Sequence, residues 1–270
     1  MTKAEGGKVY LVGAGPGDPE LLTRKAAALL ETADVVLHDD LVPRQILALA
    51  GRQTLVTSVG KRCGKKRVSQ EAIHSLMISC ARRGMRVVRL KSGDPTIFGR
   101  AGEEIEVLNS AGVPFEIVPG ISAAFAAAAA AGISLTDRRT ASRVTFATGH
   151  LAEADNNPYY WSDVARPNTT LVIYMPGHNL GNIKNHLRDA GWEANTPCLL
   201  LSRASLADQR EQRSTLAGIK NISALEAPSV LIVGEVTRAT TKDATLPETG
   251  ERVEFLDETT LEAIMQKGDL

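Results

Sequence analysis

Two Gly-Asp-Pro triplets, Gly17-Asp18-Pro19 and Gly93-Asp94-Pro95, each follow a short run of branched apolar residues. Runs of that kind read as strands, so the triplets stand at strand ends in "VYLVGAGPGDPELL" and "RVVRLKSGDPTIFGR". Glycine lets a backbone approach a ligand closely, and open α/β sheets bind ligands beyond the carboxyl ends of their strands. A further small-residue turn, "PGISAA", leaves the run "FEIV". The first loop satisfies half of the dinucleotide fingerprint with Gly13 and Gly15, but Asp18 occupies the place of the last glycine. A carboxylate there repels a pyrophosphate, and Pro16 removes a backbone N–H from the cradle. No Lys-Ser or Lys-Thr completes a P-loop either. The loop suits a cationic or neutral nucleotide-like ligand; a plain βα turn with no ligand is the competing reading.

Other chemistries find little support. The chain has no H-E-x-x-H or C-x-x-C pattern, which argues against a protein-bound metal. "GISAA" is not a nucleophile elbow. The cysteines, Cys63, Cys80 and Cys198, are odd in number and widely spaced, as suits reduced thiols. Lys and Arg together number 31 and Asp and Glu 31, so bulk charge gives no footprint for nucleic acid or a membrane surface. "FAAAAAAGI" is too short to span a bilayer, and "MTKAEGG" has no apolar run behind it. A cytoplasmic protein is expected.

The elements that must position these loops alternate. "VYLV", "DVVL", "TLVTSV", "RVVRL" and "FEIVP" read as parallel strands buried on both faces. Between them, Leu22, Ala26, Leu29, Leu30 and Ala33 keep helical spacing, as do Ile73, Leu76, Met77, Cys80 and Ala81. Ser69 is placed to cap the latter helix and Gly84 to stop it. A further helix opens with Glu103 and Glu104, and Ala123–Ala131 forms another that packs closely. "GISLTDRR" reads as a linker. Beyond it, "RVTFATG", "TTLVIYMP" and a helix carrying Leu180, Ile183, Leu187 and Ala190 continue the alternation. "PCLLLSRASLADQREQRSTLAGI" then leaves no room for a helix, which predicts an antiparallel pair and a mixed sheet ending at "SVLIVGEV". The expected fold class is α/β: an N-terminal domain over 8–133 with a mostly parallel sheet and a C-terminal domain over 140–240 with a mixed sheet. Residues 241–270 are acidic and read as a loosely ordered tail, with a short helix near "ETTLEAIMQ".

"VGAGPGDPELLTRKA", "VGKRCGKKRVSQEAI", "RLKSGDPTIFGRAGEE", "VPGISAA", "ATGH" and "VIYMP" together resemble the uroporphyrinogen-III C-methyltransferases of the tetrapyrrole methylase family, in order from about residue 8 to 238. The resemblance implies two α/β domains with a cleft between them, S-adenosylmethionine as methyl donor, and a homodimer. It implies methylation of uroporphyrinogen III at C2 and C7, giving precorrin-2 through precorrin-1 for sirohaem and cobalamin synthesis. The alternatives are a sister enzyme acting on a later precorrin and a catalytically silent paralogue that binds tetrapyrrole or donor.

By resemblance, the donor site uses Pro16, Ser92, Gly93, Asp94, Ile97, Ser122, Ala123, Met175 and Ala204. Asp39 corresponds to a proton acceptor and Lys61 to a proton donor. Arg100 and Glu103 correspond to a substrate-contacting catalytic pair, and Arg62, Arg138 and His150 to further substrate contacts. The residues agree with that chemistry. A sulfonium is positive and carries no phosphate, and an octacarboxylate acceptor calls for cations such as Lys61, Arg62, Lys65, Lys66 and Arg67. Without that context the cluster is a solvated loop, Asp39 a turn or cap residue, Arg100 a surface ion-pair partner and His150 a structural histidine. The family usually has Gly where Ser92 stands, His where Asp137 stands and Gly where Pro176 stands. The first strand begins at Val9, so no dehydrogenase or chelatase domain is expected before it.

Overall fold

A computed structural model of the chain describes residues 7–60, 68–149, 160–161, 166, 168–177, 180–221 and 225–238. The basic cluster Lys61–Arg67, His150 and the 241–270 tail lie outside the described residues.

The first sheet contains β1 (Lys8–Gly13), β2 (Val35–His38), β3 (Leu55–Ser58), β4 (Arg86–Lys91) and β5 (Phe115–Val118). All pairs are parallel, in the order β3-β2-β4-β1-β5. Its helices are α1 (Arg24–Thr32), the short α2 (Arg44–Leu47), α3 (Gln70–Arg82) and α4 (Ala101–Ser110). Caps fix where α1 and α3 begin. The Thr23 hydroxyl accepts from the Ala26 N–H at 3.2 Å, and that of Ser69 from the Ala72 N–H at 3.2 Å. Strand alternation then sorts the apolar side chains. Val12, Val36, Val88 and Leu90 meet Ala26, Leu30 and Ile46 on one face, while Val9, Leu11, Leu37 and Val87 meet Ile73, Met77 and Leu108 on the other.

That order contains a topological switch. From β1 the chain crosses over β4 to β2, and from β4 it crosses over β1 to β5, so the loops leaving neighbouring β1 and β4 turn in opposite directions. A crevice opens at such a point.

The second sheet is mixed, in the order β6-β7-β10-β8-β9. It comprises β6 (Val144–Thr148), β7 (Thr170–Tyr174), β8 (Pro197–Ser202), β9 (Arg210–Thr215) and β10 (Ser229–Val233). The β8–β9 pair is antiparallel, as the absence of helix-length sequence between its strands predicts. On one face Leu180, Ile183 and Leu187 of α6 (Leu180–Asp189) pack on Leu171, Ile173, Leu200 and Leu231. On the other lies α5 (Ala123–Ala130), whose Ala124, Ala127 and Ala128 contact Val172, Leu199 and Ile232. Alanine permits that helix to sit close to the strands.

One expectation needs correction. "TLVTSV" reads as a strand buried on both faces, yet all of β3 is exposed, Leu55 at 63% and Val56 at 42%. "FEIVP" departs in the same way, with Phe115, Glu116 and Ile117 of β5 only half-buried. β3 and β5 are the two edges of the sheet, and edge position is set by long-range pairing that an apolar run does not encode.

Candidate functional site

The glycine loops meet at the switch. The Gly15 N–H donates to the Gly93 carbonyl at 3.1 Å, and the Gly93 N–H to that of Gly15 at 2.8 Å. Both residues are left-handed, with φ of +69° and +68°, a region open to glycine at little cost. The turn after β5 closes on them. A Cβ on Gly120 would lie 2.3 Å from the Gly93 oxygen and 2.8 Å from the Gly13 Cα, so no side chain fits there.

The acidic residues of the two triplets serve the loops themselves. Asp94 Oδ1 accepts from the Thr96 N–H at 2.8 Å, and Oδ2 from the Gly120 N–H at 3.0 Å, which ties the β4 loop to the β5 turn. Asp18 Oδ1 accepts from the Glu20 N–H at 2.9 Å and opens a short 3-10 turn over Pro19–Leu21. Pro16 precedes that turn in the same loop.

Polar and apolar contacts join this edge to the carboxyl ends of β7 and β8. The Asp18 N–H donates to Ser205 Oγ at 3.3 Å, Gly17 lies against Leu206, and Ser122 Oγ shares a 2.5 Å hydrogen bond with the Tyr174 hydroxyl. Burial pushes the Tyr174 phenol above its usual range, so it stays a neutral hydrogen-bonding group. Phe98 tilts against the Tyr174 ring at 5.0 Å between centroids, and Phe146 meets it edge-on at 6.1 Å. Ile97, Ala123 and Ala204 belong to the same apolar cluster as Tyr174. Phe98, at 41% exposure, and Met175, at 48%, leave apolar surface open beside it.

Backbone strain gathers in these loops. Among the described residues six non-glycine residues have positive φ: Phe98, Arg100, Met175, Arg203 and Ser205 follow the carboxyl ends of β4, β7 or β8, and Asn168 precedes β7. Non-glycine residues hold that conformation where surrounding structure enforces it, and such residues cluster at ligand sites.

Asp39 ends β2 on the same lip, one third exposed, with Oδ1 2.5 Å from Arg89 Nη2. It does not cap α2, where Pro43 holds the N-cap position without a side-chain bond. Its neighbour Asp40 is drawn away to the Ser58 hydroxyl at 3.0 Å, which separates the roles of the adjacent acids. Behind Asp39 lies a buried ion cluster. Arg89 Nε donates to Glu104 Oε1 at 2.9 Å, and Lys91 Nζ to the same oxygen at 3.0 Å. Sequence reasoning missed Arg89 and Lys91 and took Glu104 only for a helix opener. The available signal is the alternation of "RVVRLK", which puts Arg89 and Lys91 on the α4-facing side with Val87.

Arg100 Nε and Nη2 donate to the two Glu103 oxygens at 2.7 and 2.6 Å across the first turn of α4. The pair is about half exposed, so Arg100 is paired yet reachable by a ligand. These bonds raise the basicity of Arg100 and hold the Glu103 carboxyl below its usual range. Arg138 is exposed in the turn before β6. Its neighbour Asp137 accepts from Arg139 Nη2 at 2.7 Å and from the Arg139 N–H at 2.7 Å, and these bonds lower its pKa to about 2. The acid at the place of the family's histidine thus has its own counter-ion. Arg139→Ala removes the side-chain bonds but keeps the backbone N–H bond, so the Asp137 titration is expected to rise from about 2 part of the way toward the ordinary carboxylate range, measured by NMR of its carboxyl carbon. A midpoint still near 2 would contradict the pairing.

The residues that the resemblance assigns to a donor site, Pro16, Ser92, Gly93, Asp94, Ile97, Ser122, Ala123, Met175 and Ala204, all fall in these loops or the cluster between them. Lys61, Arg62 and His150 lie outside the described residues. Among the described residues no group of His, Cys, Asp and Glu could hold a metal, and no helix is long and apolar enough to cross a membrane. Burial pushes the Cys198 thiol up to about 12, leaving it unreactive.

Comparison with known proteins bears on this arrangement. A family model described as "Tetrapyrrole (Corrin/Porphyrin) Methylases" matches residues 8–220. The uroporphyrinogen-III C-methyltransferase of Pseudomonas aeruginosa is 48% identical over 235 residues, covering 86% of this chain and 95% of that protein. A siroheme synthase of Psychrobacter sp. is 46% identical over 235 residues, 86% of this chain but 48% of its own length. The chain thus spans about half the length of the siroheme synthases it matches. The crystal structure of uroporphyrin-III C-methyltransferase from Thermus thermophilus complexed with S-adenyl homocysteine superposes with a TM-score of 0.75 at 41% identity, covering 85% of this chain and 98% of that one.

Proposed function

The chain belongs to the tetrapyrrole methylase family, and from that membership we propose that it methylates uroporphyrinogen III with S-adenosylmethionine at C2 and then C7, giving precorrin-2 through precorrin-1. The observation that carries this reading is the paired Gly15–Gly93 bridge, closed by Gly120, at the switch beside Asp39. The bridge spends the Gly15 and Gly93 N–H groups on each other and leaves close-lying backbone beside an apolar flank, where a phosphate ligand would need a row of free N–H groups.

S-adenosylmethionine supplies an electrophilic methyl group on a sulfonium. The chain's own residues then hold and desolvate it. Pro16, Ser92, Gly93 and Asp94 present backbone from the β1 and β4 loops, and Ile97, Ala123, Met175 and Ala204 provide apolar contact. The Ser122 hydroxyl is engaged with Tyr174, so Ser122 contributes its main chain. The transfer removes charge from sulfur, so positioning and water exclusion matter more than charge stabilisation.

Breaking the S–CH3 bond puts the methyl group and its positive charge on the macrocycle, which sheds one proton to Asp39. Lys61 is the proton donor, and any proton it gives the ring is matched by a further one the ring loses. Arg100, Arg62, Arg138 and His150 grip the acceptor's carboxylates, with Glu103 aiming the Arg100 fork. The segments 8–133 and 140–240 act as domains on either side of the acceptor, and the enzyme works as a cytoplasmic homodimer.

The test is the mass of the product. Purified protein given S-adenosylmethionine and uroporphyrinogen III should yield a tetrapyrrole two methyl groups heavier. Binding of both without transfer, or transfer only to later precorrins, would contradict the proposal.

A further inference from the structure

Four charged side chains form a line from the lip of the site into the protein: Asp39, Arg89, Glu104 and Lys91. Asp39 is open to solvent on one side, while the side chains of Arg89, Lys91 and Glu104 are 4%, 3% and 0% exposed. Burying three ionised groups is costly unless each is matched. The three sum to +1, Asp39 brings the line of four to zero, and both cations share Glu104 Oε1 while Oε2 has no partner among the described residues. The arrangement is also rigid. The Arg89 guanidinium is held through every nitrogen: Nη2 to Asp39, Nε to Glu104, and Nη1 to the Leu37 and Leu90 carbonyls at 3.3 and 3.4 Å. The Asp39 N–H in turn donates to the Leu90 carbonyl at 3.1 Å.

We propose that Glu104 is a positioning residue for Asp39: it locks the Arg89 fork that pins Asp39 Oδ1, so that Oδ2 is the oxygen presented to the macrocycle, while Lys91 balances the charge of Glu104. This rests on the reading of Asp39 as the proton acceptor. Without Glu104, Arg89 Nε loses its partner and the guanidinium can swing, carrying the Asp39 carboxylate with it. Arg89 and Lys91 would also face each other as buried cations. Burial, then the neighbouring Arg89 charge, already lowers the basicity of Lys91.

The charges facing Asp39 among the described residues are Arg89 and Lys91 on β4 and Glu104 on α4, with His38 and Asp40 beside it in sequence. Asp40 is turned to Ser58, and His38 Nδ1 meets only the Asp39 carbonyl, at 2.9 Å. Glu104→Gln takes a negative charge from this group and eases ionisation of Asp39, so the acidic limb of the kcat profile moves to lower pH. Lys91→Met takes a positive charge away and moves that limb to higher pH.

The experiment measures kcat against pH and the Kd for S-adenosylhomocysteine in wild type, Glu104→Gln, Lys91→Met, Lys91→Met/Glu104→Gln and Asp39→Asn. Glu104→Gln should lower kcat about tenfold or more with donor affinity kept within about twofold, because a misplaced reacting group costs rate rather than remote binding. The two single variants should shift the acidic limb in opposite directions. The double variant removes the buried opposite charges together and should keep the kcat loss even where Glu104→Gln fails to fold. Wild-type kcat and an unmoved acidic limb in Glu104→Gln, or wild-type kcat in the double variant where the single does not fold, would overturn the proposal. Full activity in Asp39→Asn would instead overturn the reading of Asp39 itself; an inactive Asp39→Asn beside a normal Glu104→Gln would sink only the role of Glu104.

Discussion

Gly120→Ala is expected to weaken binding of S-adenosylhomocysteine about ten- to a hundredfold. The new Cβ would lie 2.3 Å from the Gly93 oxygen and 2.8 Å from the Gly13 Cα, both main-chain atoms of the loops that form the site. Neither can rotate aside, so the β5 turn must move off the β1 and β4 loops. Overpacking of this kind costs about 1–3 kcal/mol, and each 1.4 kcal/mol is tenfold in affinity. The shift also lengthens the Gly120 N–H bond to Asp94 Oδ2, now 3.0 Å. Gly181→Ala provides the contrast. It sits inside α6 with nothing within 4 Å of the added Cβ, so it should leave donor affinity unchanged and stabilise the fold slightly. Calorimetric titration of both variants, with a thermal melt to check folding, decides the matter. Wild-type affinity in folded Gly120→Ala would contradict the placement of the donor.

Arg100→Leu is expected to reduce turnover of uroporphyrinogen III about a hundredfold or more while donor binding persists. Truncating one partner of a buried charge pair costs about 2–5 kcal/mol, and the macrocycle's arrival would desolvate this half-exposed arginine. As a solvent-facing i,i+3 pair with Glu103 alone, Arg100 would matter little, since exposed ion pairs contribute about 0–1 kcal/mol. The two roles therefore predict different rates. Steady-state kinetics separates them, and turnover within about threefold of wild type would reduce Arg100 to the surface partner of Glu103.

The parts of this fold that are local in origin can be read from the residues. The Ser69 cap and Gly84 stop bracket α3, and the missing helix between "PCLLLS" and "REQRST" becomes the antiparallel β8–β9 pair. The glycine loops were recognisable because glycine, proline and aspartate restrict the backbone wherever they stand. Other features depend on partners distant in sequence. β3 resembles the interior strands in composition but pairs on one side only, and nothing within "TLVTSV" records that. Asp18 and Asp94 suggest carboxylates near a cation, whereas their oxygens bond Glu20, Thr96 and Gly120.

The buried ions were the least accessible to sequence reasoning. Charged residues default to the surface, and only the packing of α4 on β4 brings Glu104 within 3.0 Å of both Arg89 and Lys91. The strain at Phe98, Arg100, Met175, Arg203 and Ser205 was equally invisible, because none is a residue type that announces a left-handed backbone.

The proposed donor site lies where the loops after β1, β4 and β5 converge. A crystal structure of the protein with S-adenosylhomocysteine tests this most directly. The ligand is expected against Gly13–Gly15, Gly93 and Gly120, its apolar contacts on Phe98 and Met175, and its sulfur facing Asp39 across the lip. Ligand bound at any other surface, or these turns drawn apart around it, would contradict the account.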